Sequence, residues 1–219
     1  MTEPAASPSE EDLVAWEDPD PDLTAPAPQR WRARTATEMV VSGIFGMIAS
    51  FALSIEAWTL AGDSGASFAC DVNAVLSCST VAQTWQARIL GFPNAFLGIL
   101  FEAVVLAVSV AVLAGVRFPR WYMVCVQLLY TVALFFALWL FSQSYFVIHV
   151  LCPWCLLITL TTTLVWAGLT RINIRDNVIP TSPALRRFVA AGNDWFITGL
   201  FLFVLLAALV ARYGLAFFS

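Results

Sequence analysis

Lysine is absent from this chain of 219 residues, histidine occurs once, and charged residues of all kinds make up only 12%. Soluble domains carry roughly 25% charged residues. A chain that is 60% hydrophobic, with a mean hydropathy of +0.80, is therefore no water-soluble globule. Every fixed positive charge is an arginine, and the overall charge balance argues for neither a nucleic-acid binder nor an acidic enzyme. The low isoelectric point of about 4.9 describes one end only, because residues 1–30 hold eight of the 15 acids, six of the 11 prolines and a single Arg. The rest sets ten arginines against seven acids. Residues 1–34 thus read as a disordered, acidic, Pro-rich cytoplasmic tail with too little apolar surface to offset its backbone entropy. The tail lacks the basic and apolar regions of a cleaved secretory signal, so the remainder, 35–219, is expected to insert by its own spans. We find no internal repeat and no stretch long enough for a second, soluble domain.

What is present is apolar length. Five stretches, approximately 39–60, 94–115, 121–143, 146–169 and 194–216, reach the ~20 residues that cross a bilayer. None alternates with period two, so the fold class is all-α and integral to the membrane rather than a barrel. Nine arginines (30, 32, 34, 117, 120, 171, 175, 186 and 187) fall on one side of a five-span chain, and only Arg88 and Arg212 fall on the other. The positive-inside bias then makes the N-terminus cytoplasmic and the 61–93 segment exported.

Four of the five cysteines gather on that exported side, where disulfides persist. Cys152-Pro153-Trp154-Cys155 spaces two sulfurs at i and i+3, on one helix face. Pro153 suggests a helix start or a kink at Cys152, either of which leaves backbone N–H groups near the sulfurs and favours a thiolate. If the helix began near Phe146 instead, Cys155 would lie roughly 13 Å along its axis. A redox pair, half of a zinc site and an inert apolar pair are the three readings of this motif. Cys70 and Cys78, eight apart, read as a loop staple or, beside a second dithiol, as an exchange partner for it. Cys125, in the third span, reads as a small packing residue.

After Cys78, Val81, Trp85 and Ile89 recur at helical spacing, and Ser77 or Ser79 is placed to cap a short interfacial helix covering the outer mouth of the bundle. Glu102, deep in the second span, needs a partner that the sequence does not name. His149 stands one turn before Cys152, where it either packs or handles protons. Thr159, Thr161, Thr162 and Thr163 read as interhelical hydrogen bonders. Trp85 and Trp154 are near enough to cysteines to line a pocket, and Asp71 reads as a solvating loop residue.

Cys70-Asp71, Cys78-Ser79 eight residues on, a hydroxyl residue six after the second Cys, Asn-Ala-x-x-Gly at Asn94 to Gly98, and the late Cys152-x-x-Cys155 together resemble the bacterial vitamin K epoxide reductase homologues, over about residues 38–217. The resemblance implies four helices around a quinone plus a fifth span. It implies that a reduced, exported thioredoxin-like partner of DsbA type attacks Cys70, that Cys78 passes electrons inward, that Cys152 receives that attack, and that Cys155 faces the quinone. It places Thr84 at a hydroxyl position needed for activity and Asn94 at an Asn that contacts the quinone oxygen. Where vertebrate members carry a Tyr, this chain has Thr159, which favours disulfide generation with simple quinone reduction over epoxide reduction. The Arg-only, Ala-rich composition hints at a GC-rich genome, and if the host is a Gram-positive actinobacterium the expected acceptor is menaquinone. Some relatives continue into a thioredoxin-like domain; this chain ends at Ser219, so the donor is expected to be a separate protein. The expected site is thus the plasma membrane, with the cysteines outside. The rival readings are a different quinone-dependent oxidase class, in which the Cys-x-x-Cys comes first, and a metal-binding or disulfide-stapled bundle.

Overall fold

A computed structural model describes residue 23 and residues 25–214. Helix α1 spans Gln29–Gly62, a short α2 spans Cys78–Ala82, and a 3₁₀ turn follows at Trp85–Arg88. Helix α3 spans Ala95–Leu113, and α4 spans Arg120–Gln143 and continues into a π turn at Ser144–Ile148. Pro153–Arg175 forms α5, Pro183–Ala190 a short α6, and Asp194–Tyr213 α7. Five of these helices are long and apolar enough to cross a membrane, as the sequence required. The fold is an all-α membrane bundle.

Punctuation in the sequence sets most helix ends. Gly115, with φ of +94°, stops α3, and Pro119 caps the start of α4. Ser182 accepts from the Leu185 N–H at 3.3 Å and puts Pro183 at the first position of α6, a helix inside what reads from sequence as a connector. Two expectations are corrected. The fourth span runs 153–175 rather than 146–169, because Pro153 opens α5 and residues 146–148 close α4. The first begins at 29 rather than 39, so residues 29–34 of the expected tail are helical. The expectation for residues 1–22 and 24 lies outside the described residues.

That early start has a physical cause. Arg32 pairs with Asp176 at 2.5 Å and donates to the Val116 carbonyl at 3.1 Å, so the first turns of α1 tie both neighbouring loops. Arg117 donates to Ala27 O, Arg120 to Val178 O, Arg175 to Ala25 O and Arg186 to Leu23 O. Arg171 meets Asp194 at 2.5 Å under the Trp31 ring. Arginines from all three basic groups thus meet at one end of the bundle, through partners that bond the loops to one another.

Helix α1 packs between α3 and α5, and α4 closes on α5. Two glycines allow the α1–α3 approach: a Cβ at Gly46 would meet Glu102 Oε1, and one at Gly98 would meet Ser50 Oγ. The largest apolar core, around Met39, Val105, Val108, Tyr130, Val165 and Leu169, lies in the arginine half. Half of the α5 window is buried but only 6% of that of α7, so α5 is the spine and α7 an outrider touching it. Phe45, Ile48, Phe51, Phe196, Leu200 and Phe203 point outward, as a hydrocarbon solvent permits. Cys125 is also on an outer face rather than packed inside.

Candidate active site

The 61–93 segment is organised by one carboxylate. Asp71 Oδ1 accepts from Ser77 Oγ at 2.8 Å and from the Ser79 N–H at 3.0 Å, while Oδ2 accepts from the Phe68 N–H at 2.8 Å. Burial pushes this carboxyl up, but the Ser79 and Phe68 N–H groups and the Ser77 and Ser79 hydroxyls outweigh it and hold it below its ordinary value. Asp71 therefore does more than solvate the loop: it folds residues 68–79 so that Cys70 and Cys78 come within 5.7 Å at Cα and form a disulfide.

A second device aligns this loop with α5. Leu76 and Leu151 form an isolated parallel bridge, the Leu151 N–H donating to Val75 O at 2.7 Å and the Ser77 N–H to Leu151 O at 3.0 Å. Register does the rest, because Cys152 directly follows Leu151 and Cys78 lies two residues after Leu76. Their sulfurs lie 3.5 Å apart, in a pocket of Leu53, Phe68, Val81 and Trp154. Cys152 is the N-cap of α5, and its sulfur accepts from the Cys155 N–H at 3.4 Å, so the backbone donors expected near the sulfurs are present. Cys152 and Cys155 carry free sulfurs beside the outer disulfide. All four sulfurs assemble, but a disulfide offers no thiolate to zinc.

Below the sulfurs lies an apolar cavity of about 140 Å³, lined by Cys78, Cys152 and Cys155 at one end and by Glu102 and Tyr130 among others. Its roof is α2 and the 3₁₀ turn, through Val81, Ala82, Thr84, Gln86 and Ala87. Ser77 caps α2 as expected, accepting from the Thr80 N–H. The expected single interfacial helix is in fact two pieces, because Thr84 takes an extended conformation at their junction, and Trp85 and Ile89 end up exposed. Trp85 stacks edge-on against Trp139 away from the cavity lining, whereas Trp154 packs against the sulfurs.

Thr84 and Asn94 both line the cavity. The Thr84 hydroxyl donates to Val81 O at 2.7 Å. Asn94 Nδ2 donates to Gln86 O at 2.6 Å, which fixes the amide so that its buried Oδ1 has no partner. An unmet buried acceptor beside a second amide hydrogen, at the wall of an apolar cavity that ends on Cys155, suits a quinone: the amide can donate to a carbonyl oxygen and accept from a quinol hydroxyl.

Other sequence expectations separate. Glu102, 2% exposed, receives the Tyr130 hydroxyl at 3.1 Å, the partner the sequence could not supply from a helix 28 residues away. His149 is exposed, with φ of 61°; it accepts from Arg212 Nη2 at 2.9 Å and is absent from the cavity wall. Thr159, Thr161 and Thr163 bond back to carbonyls of their own helix rather than across helices. Between α4 and α5 the interhelical bonds come from Asn173 to Gln127, Gln127 to Thr170 and Trp166 to Thr131. Sequence reasoning also missed Glu56, whose Oε1 lies 3.2 Å from Cys70 Sγ. Its one signal was being the lone charge in the apolar run 39–60.

The sequence profile of the vitamin K epoxide reductase family matches residues 37–169, and a search of curated proteins returns no match. The matched stretch runs from within α1 through most of α5 with all four site cysteines, and leaves α6 and α7 outside it. The chain belongs to the vitamin K epoxide reductase family; it is a membrane disulfide oxidoreductase of a family that uses quinones.

Proposed function

We propose that this family member is a thiol oxidase of the plasma membrane, which regenerates disulfides in an exported thioredoxin-like, DsbA-type partner and passes the electrons to menaquinone. The observation that carries the reading is the 3.5 Å between Cys78 Sγ and Cys152 Sγ, the separation from which one sulfur attacks another. The basic end, where the arginines converge, is the cytoplasmic one, which puts the sulfurs outside.

The relay runs by thiol–disulfide exchange. A partner thiolate attacks Cys70, the Cys70–Cys78 bond breaks, and Cys78 leaves as thiolate. Cys78 then attacks Cys152 of an oxidised inner pair, releasing Cys155 as thiolate. The partner's second thiol resolves its mixed disulfide and frees Cys70, which attacks Cys78 and restores the outer disulfide while Cys152 leaves reduced. One turn of that sequence leaves the outer pair oxidised and the inner pair reduced. Bound in the cavity, a quinone supplies the two-electron sink that returns Cys152 and Cys155 to the disulfide. Asn94 and Thr84 hold and orient at the cavity wall, and the α2 roof keeps water from Cys155. Disulfide couples of thiol oxidoreductases lie at roughly −120 to −270 mV, below the more oxidising quinones, so the direction is downhill.

Thiol trapping after menadione is added to the reduced protein in membranes tests this directly. Cys152 and Cys155 should lose reactivity within turnover time, and no change in trapping would sink the proposal. Cys70→Ala should leave this quinone-driven oxidation intact while disconnecting the partner. For Thr84→Ala we expect at least a tenfold loss of turnover at normal protein level, read as the rate of partner oxidation.

A further inference from the structure

The relay leaves unused a buried carboxyl that lies beside its own sulfurs. Glu56, on the last turns of α1, is 8% exposed, and a carboxylate oxygen of it lies within 4.8 Å of both Cys70 Sγ and Cys78 Sγ. Its Oε1 is 3.2 Å from Cys70 Sγ, a hydrogen bond as soon as Cys70 is a thiol, and the Trp154 side chain is a second hydrogen-bonding neighbour of the carboxyl. Taking a carboxyl out of water costs stability, and this one lies against a sulfur that gains and loses a proton in the relay. Cys70, Asp71 and Cys78 face it from the loop, and Trp154 and Cys155 face it from α5.

We propose that the Glu56 carboxyl is the acid–base group of the outer pair, exchanging one proton with Cys70 as that sulfur alternates between thiol and disulfide. The proposal rests on the relay above and adds its proton balance. When the partner's second sulfur closes its own disulfide, the bond from the partner to Cys70 breaks, and the departing Cys70 sulfur takes the proton of the Glu56 carboxylic acid. The partner's thiol proton goes to solvent. When Cys70 next attacks Cys78, the thiol returns its proton to the Glu56 carboxylate, the Cys70–Cys78 bond forms and the Cys78–Cys152 bond breaks. Electrons move only between sulfurs, and one proton shuttles over the 3.2 Å contact.

The shared proton has a signature that a merely structural carboxyl lacks. Two coupled groups holding one proton between them keep a constant thiolate fraction over the pH interval between their macroscopic steps. The full-length chain in lipid nanodiscs is reduced, and alkylation of Cys70 by iodoacetamide is followed by peptide mass spectrometry from pH 5 to pH 9. Wild type should show a plateau at least about one pH unit wide, where the rate varies less than about threefold. In E56Q, which is isosteric, the plateau should vanish and the rate should change about tenfold per pH unit below the thiol's ionisation. E56D, one methylene shorter, should regain a plateau at a lower rate, and it carries the test if E56Q loses its helical circular dichroism. A wild-type profile without a plateau, or the same plateau in E56Q, overturns the assignment. The assay holds neither quinone nor partner, so a failed relay and a failed Glu56 proposal give different results.

Discussion

The two ends of the bundle are built on opposite plans. At the arginine end, guanidinium groups reach main-chain carbonyls of neighbouring segments, and two ion pairs, Arg32–Asp176 and Arg171–Asp194, are largely shielded. At the sulfur end no ion pair is found among the described residues; one carboxylate, one two-bond bridge and an apolar pocket hold four sulfurs. The first plan fixes a geometry that need never change. The second must bring atoms within reacting distance and still let covalent bonds move between them, so it uses neutral contacts and main-chain register instead of strong charge pairing. Stability and activity should therefore separate by end.

The sharpest way to break that contrast is Cys155→Ala. Quinone reduction should fall to background while the thermal midpoint stays at the wild-type value, and thiol trapping should show Cys78 and Cys152 joined. Next in size, Arg32→Ala removes the ion pair of Asp176 and leaves it the Ala27 N–H. Removing one partner of a buried pair costs about 3–5 kcal/mol. Unfolding in detergent should shift by that much, with crosslinking between Cys78 and Cys152 unchanged; an unchanged midpoint would mean the arginine end is ornament. Leu151→Pro removes the N–H that meets Val75 O, one hydrogen bond worth about 1 kcal/mol. Crosslinking between Cys78 and Cys152 should drop several-fold, and because Leu151 is fully buried against Leu209 and Tyr213, losing its side chain should lower overall stability as well.

The smallest effect concerns pH. Asp71 is held below its ordinary value, so its contribution to loop order is complete above the unfolded value of about 3.9 and is lost as pH falls through the folded one. The Ser79 amide resonance should titrate below the ordinary Asp range, and Asp71→Asn should abolish that titration.

Helices read well from this sequence because the solvent for most of them is hydrocarbon, and span length is a direct consequence of bilayer thickness. The four site cysteines, Thr84 and Asn94 were legible from spacing and resemblance, and all six lie at the sulfurs or on the cavity wall. What escaped depended on contacts far apart in the chain. The start of α1 at Gln29 depends on Asp176, 144 residues beyond Arg32, and the partner of Glu102 comes from α4. Glu56 acquires meaning only when a loop 14 residues on folds back against it. The split of the roof into two helices depends on Thr84 turning to line a cavity, which no hydrophobic periodicity reports.

The pairing of Leu76 with Leu151 makes chain length, more than side-chain identity, the setting for sulfur spacing. A strand-like segment advances about 3.3 Å per residue, nearly the whole present gap between Cys78 and Cys152. One inserted residue on either side of the bridge would carry the two sulfurs a full bond-making distance out of step, so deletions and insertions there should be far less forgiving than substitutions.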